Sequence, residues 1–241
     1  ARKSVEAGLN VRCTFRSPDS FVLPLRELVK EGGLSEEVIN DRVRDILRVK
    51  FLIGLFDAPY QTDLAGADRE VEKEENEAIA LQASRESIVL LKNAGELLPL
   101  DINSTKKIAV CGPNANEEGY ALTHYGPLAV EVTTVLEGIQ EKTKGKAEVL
   151  YTKGCDLVDA HWPESEIIDY PLTDDEQAEI DKAVENARQA DVAIVVLGGG
   201  QRTCGENKSR TSLDLPGRQL QLLQAIQATG KPVVLILING R

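Results

Sequence analysis

Residues 204–219, CGENKSRTSLDLPGRQ, gather a carboxylate, several cations and hydroxyls into one loop. A segment that had only to reverse the chain would need Gly, Asn and Pro. Glu206 instead follows Cys204 and Gly205 and precedes Asn207, with Lys208 and Arg210 close behind. A carboxylate among small neighbours on a loop suits general acid/base work, because such a setting can raise its pKa until it protonates a leaving group. A second reading stands beside this one: a solvated loop carboxylate paired with Lys208 or Arg210. A phosphate-binding reading, suggested by Gly198, Gly199 and Gly200, fails on spacing. Thr203 occupies the last glycine position of G-x-G-x-x-G, and the next helical pattern opens far beyond the glycines.

Other chemistry-bearing residues are scattered. Cys13, Cys111, Cys155 and Cys204 form no C-x-x-C pair, and His124 and His161 follow no ligand spacing, so the sequence predicts free, mostly buried thiols and no metal site. Asp19, Asp57 and Asp214 lie in SPDS, LFDAP and SLDLP. These contexts suit the start of a helix, the end of one and the close of a loop, and none is nominated as a nucleophile.

The elements that must position Glu206 are legible from about residue 105, where strand and helix patterns alternate. KKIAVCG (106–112), AEVLYTKG (147–154), DVAIVVLGG (191–199) and KPVVLILING (231–240) read as strands. The last two are continuous apolar runs, as in a parallel sheet covered on both faces. Helices are expected over 133–143, from a capping box at Thr173 and Glu176 through Gln189, and over 217–229. The pattern predicts an open, mostly parallel α/β sandwich with flavodoxin-like layers. Ligands of such sheets gather at the carboxyl ends of the strands. Three loops fall there: 112–131 with His124 and Tyr125, 154–166 with Trp162, and 198–217 with Glu206.

The first 93 residues read differently. LNVRCTF (9–15) alternates like a short strand, LPLRELVKEG (23–32) is helical with Pro24 in its first turn, and Ser35 caps a helix whose stripe is Ile39, Val43, Ile46 and Leu47. One strand and two helices cannot close a core, so this block needs a partner. Residues 57–76 lose periodicity and read as a linker or a solvated wrap. A helix over 77–93 carries a small-residue face of Ala80, Ala83, Ser84 and Ser87.

The 241 residues carry a net charge of −11, which repels phosphates and argues against a nucleic-acid or anionic-membrane surface. No stretch approaches about 18 uninterrupted apolar residues. The opening ARKSVEAGLNVRC lacks an initiator Met, and the sequence reads as an excised piece of something longer, so the compartment is not fixed.

Four segments in order and spacing resemble glycoside hydrolase family 3, the exo-acting β-glucosidase and β-xylosidase group. AGLNVR (7–12) is similar to its last barrel strand, and INDRVRDILRVKFLIGLFDAPY (39–60) to the helix that closes the barrel. ALQASRESIVLLKNAGELLPL (80–100) is similar to the entry into its second domain, and GENKSRTSLDLPGRQLQLLQAI (205–226) to the acid/base loop and following helix. The resemblance implies a (β/α)8-type barrel tail over 1–56, an interdomain linker over 57–76 and an α/β sandwich over 77–241. It implies a retaining mechanism in which two carboxylates stand about 5–5.5 Å apart. Glu206, followed by Ser209 and Arg210, matches the acid/base; the attacking aspartate and a lysine–histidine pair that grips the sugar match positions upstream of residue 1, so the piece alone is expected to be inactive. Tyr125, with His124 beside it, fits the leaving-group subsite, or is a capped core tyrosine. Arg210 orients Glu206 or salt-bridges the loop, and Trp162 lines the cleft or packs at an edge. The implied substrate is a terminal β-glucoside or β-xyloside, with no cofactor, no nucleic acid and no membrane, and with the barrel as the module's partner. Family relatives are often periplasmic or secreted. An N-acetylglucosaminidase of the same family and a non-catalytic flavodoxin-like or sugar-binding module are the alternatives.

Overall fold

The computed structural model describes residues 1–58, 63–71, 73–119 and 132–240. The chain divides into two compact units, Ala1–Val89 and Leu90–Arg241.

The first unit is helical: α1 (Arg2–Glu6), α2 (Asp19–Lys30), α3 (Glu36–Leu52), α4 (Leu64–Val71) and α5 (Glu74–Glu86). Ser35 caps α3 by accepting from the Glu37 N–H, as its spacing predicts. The segment 9–15 is not a strand. The described elements of this unit are all helices, so no neighbouring strand offers its backbone groups a ladder, and Val11 and Phe15 stand exposed. Helix α2 begins at Asp19, so Pro24 lies inside it rather than in its first turn. Pro18 is its N-cap, and the Asp19 N–H donates to the Ser17 hydroxyl at 3.3 Å. The stretch 57–76 holds α4 and the start of α5. Helix α5 stops at Glu86 instead of running to 93; Ser87 turns back to the Ser84 carbonyl, and Ile88–Leu91 continue as exposed chain. The core of the unit is small: Val5, Leu25 and Leu34, with Phe21, Leu28, Val29, Val38 and Ile39 around them.

The second unit is a four-stranded parallel sheet in the order β2-β1-β3-β4, built from β1 (Lys107–Cys111), β2 (Glu148–Thr152), β3 (Val192–Gly198) and β4 (Val233–Ile238). All seven residues of β3 are buried. Because side chains alternate across a strand, Ala193, Val195 and Leu197 enter one core with Ile180, Ala183, Ala187, Leu222 and Ile226, which belong to α7 (Asp174–Gln189) and α8 (Gln219–Gln227). Val192, Ile194 and Val196 enter a second core with Leu136 of α6 (Val135–Thr143). This two-sided burial is why β3 is apolar without alternation. Thr134 and Glu137 form a capping box on α6, and Thr173 and Glu176 form the predicted one on α7.

Two glycines end strands at close approaches. Gly112, after β1, has φ +109°, and a Cβ there would stand 2.0 Å from the Val196 carbonyl oxygen. Gly198, ending β3, has φ +135°, and its Cβ would stand 2.0 Å from the Ile238 carbonyl oxygen. Only glycine tolerates both constraints, so the two central strands release their loops at backbone positions that fix the loop directions.

Candidate active site

The sheet order switches between β1 and β3, since the crossover from β1 runs outward to β2 while β3 lies on the other side. Ligand crevices of open α/β sheets form at such points. A cavity of about 340 Å³ opens there, lined by Asn114 and Glu117 after β1, Lys153 and Asp156 after β2, and Gln201 and Arg202 after β3. A second cavity of about 350 Å³ shares Lys153 and Asp156 with the first but runs to Thr173, Glu176 and Arg218 at the starts of α7 and α8, and is rich in carboxylates. The first is lined from the ends of three strands, β1, β2 and β3, and the second from the end of β2 alone, so position rather than volume singles out the first.

The loop 199–217 leaves the sheet with its backbone tied down. The Gly199 N–H donates to the Ile238 carbonyl at 2.8 Å, and the Asn114 side-chain amide donates to the Gly199 carbonyl at 2.7 Å. Thr203 is buried, and its hydroxyl accepts from the Gly200 N–H at 3.0 Å. Gln219, fully buried, accepts from the Gly198 N–H at 2.8 Å and donates to the carbonyls of Gly198 at 3.0 Å and Leu157 at 2.8 Å. That one side chain joins the end of β3, the 154–166 loop and the first turn of α8.

Glu206 stands between these anchors. Residues 205–209 are exposed, and Asn207 adopts the left-handed conformation at φ +61°, which Asn tolerates better than most residues. The return of the loop is packed: Leu215 joins the α7–α8 core, Pro216 is buried, and Gly217, at φ +59°, lies against the backbone of Val158 and Asp159. Arg218 then donates to Glu176 at 3.0 Å and to the carbonyls of Tyr170 at 2.8 Å and Pro171 at 2.9 Å.

Arg210 is engaged by three groups. Its Nε donates to Glu166, its Nη2 donates to the Asp214 carbonyl at 2.9 Å, and its guanidinium carbon lies 5.1 Å from the Trp162 ring centroid. Glu166, in the short 3₁₀ turn Glu164–Glu166, also accepts from the Thr211 N–H at 2.9 Å. Burial alone would raise the Glu166 pKa, but the Arg210 hydrogen bond, the Thr211 N–H and the Arg210 charge outweigh it and hold it down at about 2. His124 and Tyr125 lie outside the described residues. Asp214 closes the loop, exchanging hydrogen bonds with Ser212. Cys111 and Cys155 are buried thiols pushed up to about 12, chiefly by burial, while Cys13 is exposed. Sequence reasoning missed Glu166, Asn114 and Gln219. Only Gln219 left a trace, as a glutamine directly after the loop-closing Leu-Pro-Gly-Arg.

Residues 88–241 match the model of the glycosyl hydrolase family 3 C-terminal domain. The chain belongs to glycosyl hydrolase family 3. It is 36% identical over 255 residues to a periplasmic beta-glucosidase of Salmonella typhimurium, covering 100% of this chain and 32% of the relative. It is 35% identical over 224 residues to a beta-xylosidase of Formosa agariphila, covering 90% of this chain and 29% of the relative. Among solved structures, a beta-glucosidase involved in saponin metabolism from intestinal bacteria superposes with a TM-score of 0.83 at 33% identity, covering 99% of this chain and 34% of that one. A beta-glucosidase of Listeria innocua in complex with isofagomine gives 0.80 at 28% identity, covering 100% and 31%. The family 3 chain described here thus spans about a third of the length of these relatives.

Proposed function

We propose that this chain supplies the proton-donor half of a retaining, exo-acting β-glycosidase that hydrolyses terminal β-glucosides or β-xylosides. Glu206 protonates the departing glycosidic oxygen and then, as the conjugate base, deprotonates the water that hydrolyses the glycosyl-enzyme. The attacking aspartate and the grip on the nonreducing sugar come from a barrel whose tail is residues 1–56. Residues 57–76 link it to the sandwich, and residues 1–241 by themselves are inactive. The leaving-group subsite is assigned, on the family resemblance alone, to Tyr125 with His124 beside it. One observation carries the reading: in a family 3 chain, Glu206 occupies the exposed part of a loop held at both ends by buried side chains, at the carboxyl edge of a parallel sheet.

The full-length enzyme carrying Glu206→Ala tests it. Second-order turnover, kcat/KM, of alkyl β-glucosides should fall about 10²- to 10⁴-fold. Dinitrophenyl glucoside, whose leaving group departs unprotonated, should fall far less, and azide should restore turnover of the second step. Equal losses on both substrates, with no azide rescue, would remove Glu206 from the chemistry.

A further inference from the structure

We infer that Glu166 is a positioning residue for the proton-donor loop, acting on Glu206 through the Arg210 clasp. The inference rests on the acid/base reading of Glu206. Nothing in the spacing of the sequence links residue 166 to this loop; the juxtaposition is tertiary. The two side chains are 8% (Arg210) and 7% (Glu166) exposed, so the pair is sheltered from water although the neighbouring segment 205–209 is exposed.

The geometry is that of a two-point hold. One carboxylate oxygen of Glu166 takes the Arg210 Nε and the other takes the Thr211 N–H at 2.9 Å, so side chain and backbone of consecutive residues are fixed together. Arg210 Nη2 reaches on to the Asp214 carbonyl at 2.9 Å, and the guanidinium is 5.1 Å from the Trp162 ring centroid. The contact to Glu166 is charge-assisted, and Arg210 divides its donors between Glu166 and the Asp214 carbonyl, which sets direction as well as energy. Glu206 is therefore suspended between buried Thr203 on one side and the clasp on the other. General acid catalysis requires the donor within hydrogen-bond reach of the departing oxygen, and a misplacement of about 1 Å can cost about 100-fold. With its pKa held at about 2, Glu166 stays ionised wherever a catalytic proton donor titrates, so the clasp does not loosen as Glu206 gains and loses its proton.

The test uses the full-length enzyme with Glu166→Gln, which keeps the shape and removes the charge. Expected is a loss of about 10- to 100-fold in kcat/KM for alkyl β-glucosides, with kcat/KM for dinitrophenyl glucoside within about threefold of the parent enzyme. Glu166→Asp, which retains the charge, should recover part of the loss. Glu206→Ala, run beside it, separates the two claims. If Glu206→Ala discriminates between leaving groups but Glu166→Gln slows both substrates equally or neither, the positioning role is overturned while the acid/base reading survives. If Glu206→Ala itself fails to discriminate, the underlying reading falls, and the positioning role with it. Should Glu166→Gln not fold, Arg210→Lys, which keeps the cation but loses the fork, must show the same selective loss; equal slowing of both substrates by Arg210→Lys overturns the role.

Discussion

The two units of this chain handle apolar surface in opposite ways. In Leu90–Arg241, β3 is buried along its whole length and packs on both faces, so each added apolar residue finds partners. In Ala1–Val89, helix α3 has no buried residue; Ile39 at the start of its stripe packs against the small core, but Val43 and Leu47, and Phe51 beyond them, stand at least 40% exposed. The same kinds of side chain do different work. In the sheet unit they fill close-packed interior, and in the helical unit they remain as a surface that its own three-residue core does not absorb. The apolar stripe of α3 is the kind of face a barrel would cover in the proposed full-length enzyme, and Glu206 belongs to the unit with the larger core.

The largest effect should come from breaking the sheet unit at its packed face. Leu222 on α8 is fully buried against α7 and β3. Leu222→Ala should cost about 2–5 kcal/mol, the range for deleting a core leucine with partial relaxation. Urea unfolding followed by Trp162 fluorescence reads it, since the one tryptophan lies in this unit. A loss under about 1 kcal/mol would mean that the sheet unit is no better packed than the helical one.

That contrast also explains what was legible beforehand. The runs IAV and VAIVVL read as strands because burial on both faces leaves no polar position, and the Thr173–Glu176 capping box announced α7 by local chemistry alone. Where burial is weak, pattern misled: LNVRCTF alternates, yet its surroundings offer no strand to pair with, and ESIVLL continued a helical pattern that ends at Glu86. At the candidate site, Glu206 was visible because its loop carries its own composition. Glu166 was not, because its partners Arg210 and Thr211 lie 44 and 45 residues away and nothing local marks a carboxylate that will be buried.

A second, smaller effect is a pH dependence confined to the sheet unit. The folded-state pKa of Glu166 is depressed to about 2 from its ordinary value of 4.5, so folding favours the ionised form. The stability it confers is fully present above about pH 5 and is lost as pH falls through 4.5 towards 2; it is on the order of 3 kcal/mol. Glu176 contributes in the same direction: burial would raise its pKa, but the Thr173 N–H and Arg218 overcome this and lower it. Urea midpoints of the sheet unit at pH 6 and pH 3 should therefore separate, and Glu166→Gln should narrow the gap. An unchanged gap in that variant would assign the acid sensitivity to other carboxylates.

The smallest expected effect is the one that sharpens the comparison most. Leu47 lies on the α3 stripe and is 40% exposed. If the stripe is surface within this chain, Leu47→Ala should change the stability of the helical unit by about 0.5 kcal/mol or less, as for other surface sites, because no cavity is left behind. Hydrogen exchange across α3, read by mass spectrometry, measures this locally even when the sheet unit dominates global unfolding. In the full-length enzyme the same substitution should cost about 2 kcal/mol or more if the proposed barrel covers the stripe, since it would then empty a packed site. A large loss in the 241-residue chain would instead mean that the stripe is buried within it. The contrast between a self-sufficient sheet and a helical unit awaiting a cover would then fail, and the assignment of residues 1–56 to a barrel would rest on the family resemblance alone.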